Sequence, residues 1–314
     1  MRAHTGNAEV QRWTVALAAA GVCGAVVAVM RAHAGTADVQ QRAAWAVANL
    51  CDAHPTNRTA FANAGVSEPL VAAMHTHAGN ADVQQQAAWA VANLCVAHPA
   101  NRTAFANAGV SKPLVAAMRA HAENADVQQQ AARAVANLCA AHPANRTAFA
   151  DAGVSEPLVA AMRAHGENAE VQARVAQAVA NLCAAHPANR TAFADAGVSE
   201  PLVAAMHTHA ENAEVQQQAA RAVAYLCDAH PANSTALVDA GVCELLVAAM
   251  SGHAGNAEVQ RWTTQAVASL CFGNPANRTA LADAGVCEVL VAAMRAHAGN
   301  AEVQLCAAGA VAYL

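Results

Sequence analysis

Two columns of side chains carry most of the chemistry this sequence offers. One runs Trp45, Trp89, Arg133, Gln177, Arg221, Gln265 and Gly309; the other, four residues further on each time, runs Asn49, Asn93, Asn137, Asn181, Tyr225, Ser269 and Tyr313. On a helix a spacing of four puts both columns on one face. An Asn amide offers one acceptor group and two donors, so a row of them suits the backbone of an extended peptide with little regard to its sequence. Trp faces attract the charge and hold the aliphatic stem of a Lys or Arg, a contact worth about 0.5–2 kcal/mol. Arg133 and Arg221 favour a carboxylate or a phosphate instead. The expected peptide-binding residues are therefore Trp45, Asn49, Trp89, Asn93, Arg133, Asn137, Gln177, Asn181, Arg221 and Tyr225.

Other reactive residue types read as structure. Fifteen histidines invite a metal, but His33, His77, His121, His165, His209, His253 and His297 recur one repeat apart, too far for shared Zn–N bonds of about 2.0–2.1 Å. They are expected to complement helix C-termini. Cys51, Cys95, Cys139, Cys183, Cys227 and Cys271 hold one repeat position and are expected to be small buried core residues, unpaired, in a reducing compartment. Asn57, Asn101, Asn145, Asn189, Asn233 and Asn277 match the glycosylation pattern but open a helix in each repeat, where Asn and Thr act as local caps. Gln40, Gln84, Gln128 and their equivalents recur so uniformly that hydrogen bonds between repeats are expected. No nucleophile–base pair, phosphate loop or zinc motif appears, so the expectation is no enzyme activity, no catalytic residue, no metal and no cofactor.

The elements that position these columns follow from the repeat. Met30, Met74, Met118, Met162, Met206, Met250 and Met294 recur every 44 residues, and most other positions keep that register. Such a period marks stacked helical units, each burying its apolar face against its neighbours. Within residues 143–186, Pro143 and Gly153 bracket a short first helix. A second starts with Ser155 as N-cap and Pro157 in its first turn and runs to about His165. A third starts at Asn168, with Glu170 favourable to the dipole, and ends before Pro187. Val171, Val175, Ala178, Val179, Leu182 and Cys183 form its buried stripe.

A short helix, then GVSEPLVAAM, then DVQQQAAWAVANL over 82–94 resembles the armadillo repeat, and the likeness covers nearly the whole chain. It implies an all-α solenoid, a right-handed superhelix of three-helix repeats with third helices lining a concave groove. Trp45-x-x-x-Asn49 and Trp89-x-x-x-Asn93 locally resemble the paired Trp and Asn of the importin-α family. The function implied is a non-enzymatic protein-interaction scaffold binding an extended peptide along the groove. The alternatives are an importin-α-like adaptor for nuclear-localisation signals and a regulatory armadillo segment of a larger kinase or ubiquitin ligase. Arg42, Arg133, Arg174, Arg221 and Arg261 would make part of the groove mildly positive.

Residues 1–314 read as one armadillo domain, with shortened repeats over 1–54, five complete repeats over 55–274 and an incomplete one over 275–314. Residues 1–30 fuse the start of a third helix to a second helix, and uncapped ends would expose apolar surface open to self-association. The content is 56% apolar and only 4% aromatic, as suits closely packed helices, and the formal charge of −5 lacks the basic excess of a nucleic-acid binder. No apolar run reaches the roughly 18–20 residues of a membrane span, so no membrane insertion is expected. The expected location is cytoplasmic and also nuclear.

Overall fold

The computed structural model describes residues 21–52 and 54–314, and all regular structure among them is helical. It falls into two compact units, one ending at Pro157 and one starting at Leu158. The first contains α1 (Val22–Ala32), α2 (Ala37–Cys51), α3 (Pro55–Asn63), α4 (Ser67–Thr76), α5 (Ala81–Cys95), α6 (Pro99–Asn107), α7 (Ser111–Ala120), α8 (Ala125–Cys139) and α9 (Pro143–Asp151). Helix α10 (Ser155–Ala164) begins there. The second contains α11 (Ala169–Cys183), α12 (Pro187–Asp195), α13 (Ser199–Thr208), α14 (Ala213–Cys227), α15 (Pro231–Asp239), α16 (Val242–Gly252), α17 (Ala257–Cys271), α18 (Pro275–Asp283), α19 (Val286–Ala296) and α20 (Ala301–Tyr313). The chain is an all-α solenoid of three-helix repeats. The second helix expected near residue 30 is α1; the third-helix fragment expected before it lies in residues 1–20, outside the described residues.

Local sequence sets each boundary. Proline opens every first helix at its first turn, where its missing N–H costs nothing. Gly65 and Gly109 then turn the chain with φ of 73° and 74°, a left-handed bend that only glycine takes without strain. The serine expected to cap each second helix is its first helical residue; Val66, Val110 and Val198 hold the cap position without a side-chain bond. Third helices are capped by Asn80, Asn124 and Asn168, whose side chains accept from Val83, Val127 and Val171 N–H.

Third helices pack side by side within each unit. Ala87, Ala88, Ala90 and Ala92 are fully buried, and their small size lets the backbones approach closely. One stripe stays uncovered on an interior third helix: Asp82 exposed, with Gln85, Gln86 and Trp89 half-buried. The turns after α5, α8, α11 and α14 carry Ala97, Ala141, Ala185 and Ala229 at φ of 49° to 51°, where the turn after α17 has Gly273 at 69°.

Hydrogen bonds fix the stacking, and they reassign several recurrent residues. Arg102 donates Nε–H to Cys95 O (3.2 Å) and Nη1–H to Ala140 O (2.6 Å), tying the C-termini of α5 and α8 together. Arg58 does the same with Cys51 and Val96. Asn101 donates to Leu94 O and to Arg58 O in the preceding repeat, so the glycosylation-pattern asparagines are buried stacking residues and not helix caps. The cap is His98: its Nδ1 accepts from Asn101 N–H, which leaves Nε2–H to donate to Thr59 of the preceding repeat. Asn274 takes that place in the last repeat and makes both bonds with its amide.

The second histidine column also reaches between repeats: His77 and His121 donate Nε2–H to Ala34 O and Ala78 O, each at 2.8 Å. The glutamine column stays within its repeat, contrary to expectation. Gln84 donates to Met74 O and His77 O and so clamps the end of the second helix against the third.

Candidate functional site

The uncovered stripe of the third helices carries the first column, while the second is exposed in part and buried at Asn93 and Asn181, and the two units furnish the stripe differently. In the first unit Trp45 is 55% exposed and Trp89 half-buried. Among the described residues no cation lies over either ring. Asp38, Asp82 and Asp126 stand exposed seven residues before the first column, on the same helix face. Glu170, Glu214, Glu258 and Glu302 continue that acidic column in the second unit. Sequence reasoning assigned Glu170 to the helix dipole and saw no acidic cluster beside Trp45 or Trp89, although a spacing of seven from the Trp and Arg positions places these acids on the same helix face.

The asparagines are partly committed. Asn93, 1% exposed, donates Nδ2–H to Ala48 O (2.9 Å) of the preceding third helix, and Asn137 donates to Ala92 O (3.0 Å). Asn49 instead folds back on Trp45 O of its own helix. These amides therefore bridge or cap third helices through nitrogen, leaving Oδ1 as the group turned to other uses. Arg133 and Gln177 are half-buried on the stripe, and Asn181 is buried.

In the second unit the expected residues engage one another. Arg221 Nη2–H donates to Asn181 Oδ1 (2.6 Å), and the guanidinium lies 5.8 Å from the Tyr225 ring centre and 5.1 Å from that of Trp262. Those rings meet at 5.7 Å, tilted by 55°. Arg261 also lies over Trp262, at 4.7 Å. Trp262 went unnoticed as a site residue because its position is glutamine in three other repeats, yet it sits one turn before Gln265 on the same stripe. Burial pulls the Arg221 pKa down from its ordinary value, and Tyr225 opposes that shift. Arg174 is flanked by Glu170 and Glu214, and Arg261 by Glu258 and Glu302. Their charge is offset locally, so the expected positive stretch reduces in this unit to Arg221. Beyond it, Asp228, Gln265, Ser269, Phe272 and Tyr313 border a cavity of about 260 Å³.

Among the described residues no cluster of His, Cys, Asp and Glu could hold a metal ion, and no single helix is long and apolar enough to cross a membrane. The repeated thiols are unpaired and buried, and burial pushes Cys227 up to about 12 and Cys271 to about 11.

A family model described as the LRRK2 ARM repeat matches residues 54–185 and 151–314. The chain belongs to the armadillo-repeat family. Solved armadillo-like arrays share its fold. An engineered protein superposes with a TM-score of 0.81 at 31% identity, over 96% of this chain and 70% of that one. A second engineered protein gives 0.69 at 30% identity, over 79% and 96%. A designed armadillo repeat protein solved with a (KR)4 peptide gives 0.65 at 23% identity, over 78% and 97%, a likeness of fold alone. No curated protein matches the chain. Armadillo architecture explains the division of labour among repeat positions: the apolar columns that pack the helices, such as Val83, Ala87, Val91 and Leu94, are buried, and the Trp45 column on the third-helix stripe varies from repeat to repeat.

Proposed function

We propose that this armadillo array is a non-enzymatic scaffold that binds an extended peptide along the uncovered stripe of its third helices. The observation that carries the reading is the pair Trp45 and Trp89, one exposed and one half-buried, one repeat apart on that stripe and free of an intramolecular cation, with an exposed aspartate column two turns along the same helix face. Indole faces with nearby carboxylates hold a cationic side chain, the rings taking its stem and the acids its charge. This favours a basic segment on the first unit and supports the import-adaptor alternative to that extent. The Asn93 and Asn137 amides, with nitrogen already bonded, contribute at most an acceptor oxygen to a peptide N–H. The site residues proposed from sequence therefore divide in weight: Trp45 and Trp89 carry affinity, while the asparagines chiefly hold the surface they stand on.

The test is fluorescence anisotropy with labelled eight-residue peptides, (Lys-Ala)4, (Ser-Ala)4 and (Glu-Ala)4, on the intact chain and on a Trp45→Ala/Trp89→Ala variant of unchanged helicity. Each Trp removes a contact of about 0.5–2 kcal/mol, so (Lys-Ala)4 affinity should fall by roughly five- to several-hundredfold in the double variant. Binding unaffected by the double substitution would refute the role of the rings.

A further inference from the structure

Arg221 differs in kind from the other arginines on the third helices of its unit. Arg174 and Arg261 each sit between two glutamates within ion-pair distance, whereas among the described residues no carboxylate lies within 4.0 Å of Arg221, and Glu258 acts on it only from further away. A half-buried guanidinium without a contacting counter-ion is costly, because part of its hydration is lost and the more distant Glu258, opposed by Arg261, replaces it only weakly. What holds it instead is neutral: the Asn181 Oδ1 and the faces of Tyr225 and Trp262. These contacts fix the side chain in one place, so ligand binding would require little further ordering. They also close the cation site that Trp262 would otherwise offer, since Arg221 and Arg261 both lie over that ring.

Resting on the extended-peptide reading above, we infer that Arg221, held by Asn181, Tyr225 and Trp262, is a receptor for an acidic side chain, an Asp or Glu of the bound peptide. The ligand carboxylate supplies the direct ion-pair partner that this position lacks, through guanidinium N–H groups not engaged by Asn181 or Tyr225. The second unit thus selects opposite charge to the Trp45 and Trp89 stretch. Like-charge contact with Arg221 disfavours lysine there, so the same residue rejects as well as attracts.

The same anisotropy assay tests this on Arg221→Gln and Arg221→Lys variants, with an added (phosphoSer-Ala)4 probe. A charge-assisted hydrogen bond of about 1.5–3 kcal/mol corresponds to roughly ten- to hundredfold in affinity. Arg221→Gln should weaken (Glu-Ala)4 by that factor and leave (Lys-Ala)4 unchanged or tighter, and Arg221→Lys should retain part of the acidic binding. The interaction should weaken as salt rises. Equal (Glu-Ala)4 affinity in the parent and Arg221→Gln proteins overturns the inference, as does binding confined to the phosphopeptide. In either case continued binding of (Lys-Ala)4 or (Ser-Ala)4 leaves the peptide-groove reading standing. Failure of every peptide overturns both.

Discussion

Replacing Arg102 by Met removes the guanidinium while keeping an apolar stem of similar reach, so the loss reports on hydrogen bonding rather than on packing. Two bonds vanish, to Cys95 O at 3.2 Å and Ala140 O at 2.6 Å. Each is a bond from a charged donor, worth about 1.5–3 kcal/mol, and both acceptors lie at helix C-termini, where a cation adds to the stabilisation. Water reaches part of this half-buried site and recovers some of the loss, so the expected cost is about 3–5 kcal/mol. Urea unfolding followed by far-ultraviolet circular dichroism, fitted with nearest-neighbour coupling between repeats, separates the terms. Arg102→Met should lower both the stability of its own repeat, through the bond to Ala140 O, and its coupling to the preceding repeat, through the bond to Cys95 O. A cost under about 1 kcal/mol for Arg102→Met would refute the reasoning, because a bond network of this kind exceeds that even after solvent competition.

Substituting Gly at Ala97, Ala141, Ala185 and Ala229, as Gly273 stands naturally in the last repeat, relieves a left-handed backbone at φ near 50°. The strain relieved is about 1–2 kcal/mol per site and the added unfolded-state freedom about 0.4–1, so each change should stabilise by about 0.5–1 kcal/mol in thermal melts. Ala88→Gly inside α5 should destabilise instead; a loss at the turn sites would contradict the assignment. His98→Asn should be nearly neutral in urea melts, because Asn274 makes the equivalent pair of bonds, whereas His98→Ala should cost about 1 kcal/mol. Thiol titration with a disulfide reagent on the folded protein should give one fast reaction at Cys287 and a slower one at Cys306, with the other eight cysteines reacting only on unfolding. Cys287→Ser should abolish the fast phase, and several fast thiols would show a looser core than described.

The period, the three helices and their breakers were legible in the sequence because proline, glycine and apolar spacing act locally. The roles of the recurrent polar residues were less so. Spacing places Gln84 and His77 on known helix faces, but which carbonyl each side chain reaches depends on how repeats stack, and so the expected assignments changed. Gln84 bonds within its repeat and His77 between repeats. The stacking role of Arg102 was missed for the same reason: its partners lie 7 and 38 residues away. At the candidate site, Trp45 and Trp89 could be placed from period alone. The engagement of Arg221 with Asn181 and Trp262 could not, since it joins residues 40 positions apart and a tryptophan that breaks the repeat.

The most direct test of peptide binding on the third-helix stripe is an NMR titration of the indole N–H signals. With (Lys-Ala)4, the Trp45 and Trp89 indoles should shift and saturate together while Trp262 moves little; with (Glu-Ala)4, Trp262 beside Arg221 should be the one that responds. Peptides that bind without moving any of these three signals would place recognition elsewhere on the solenoid and contradict the proposed site.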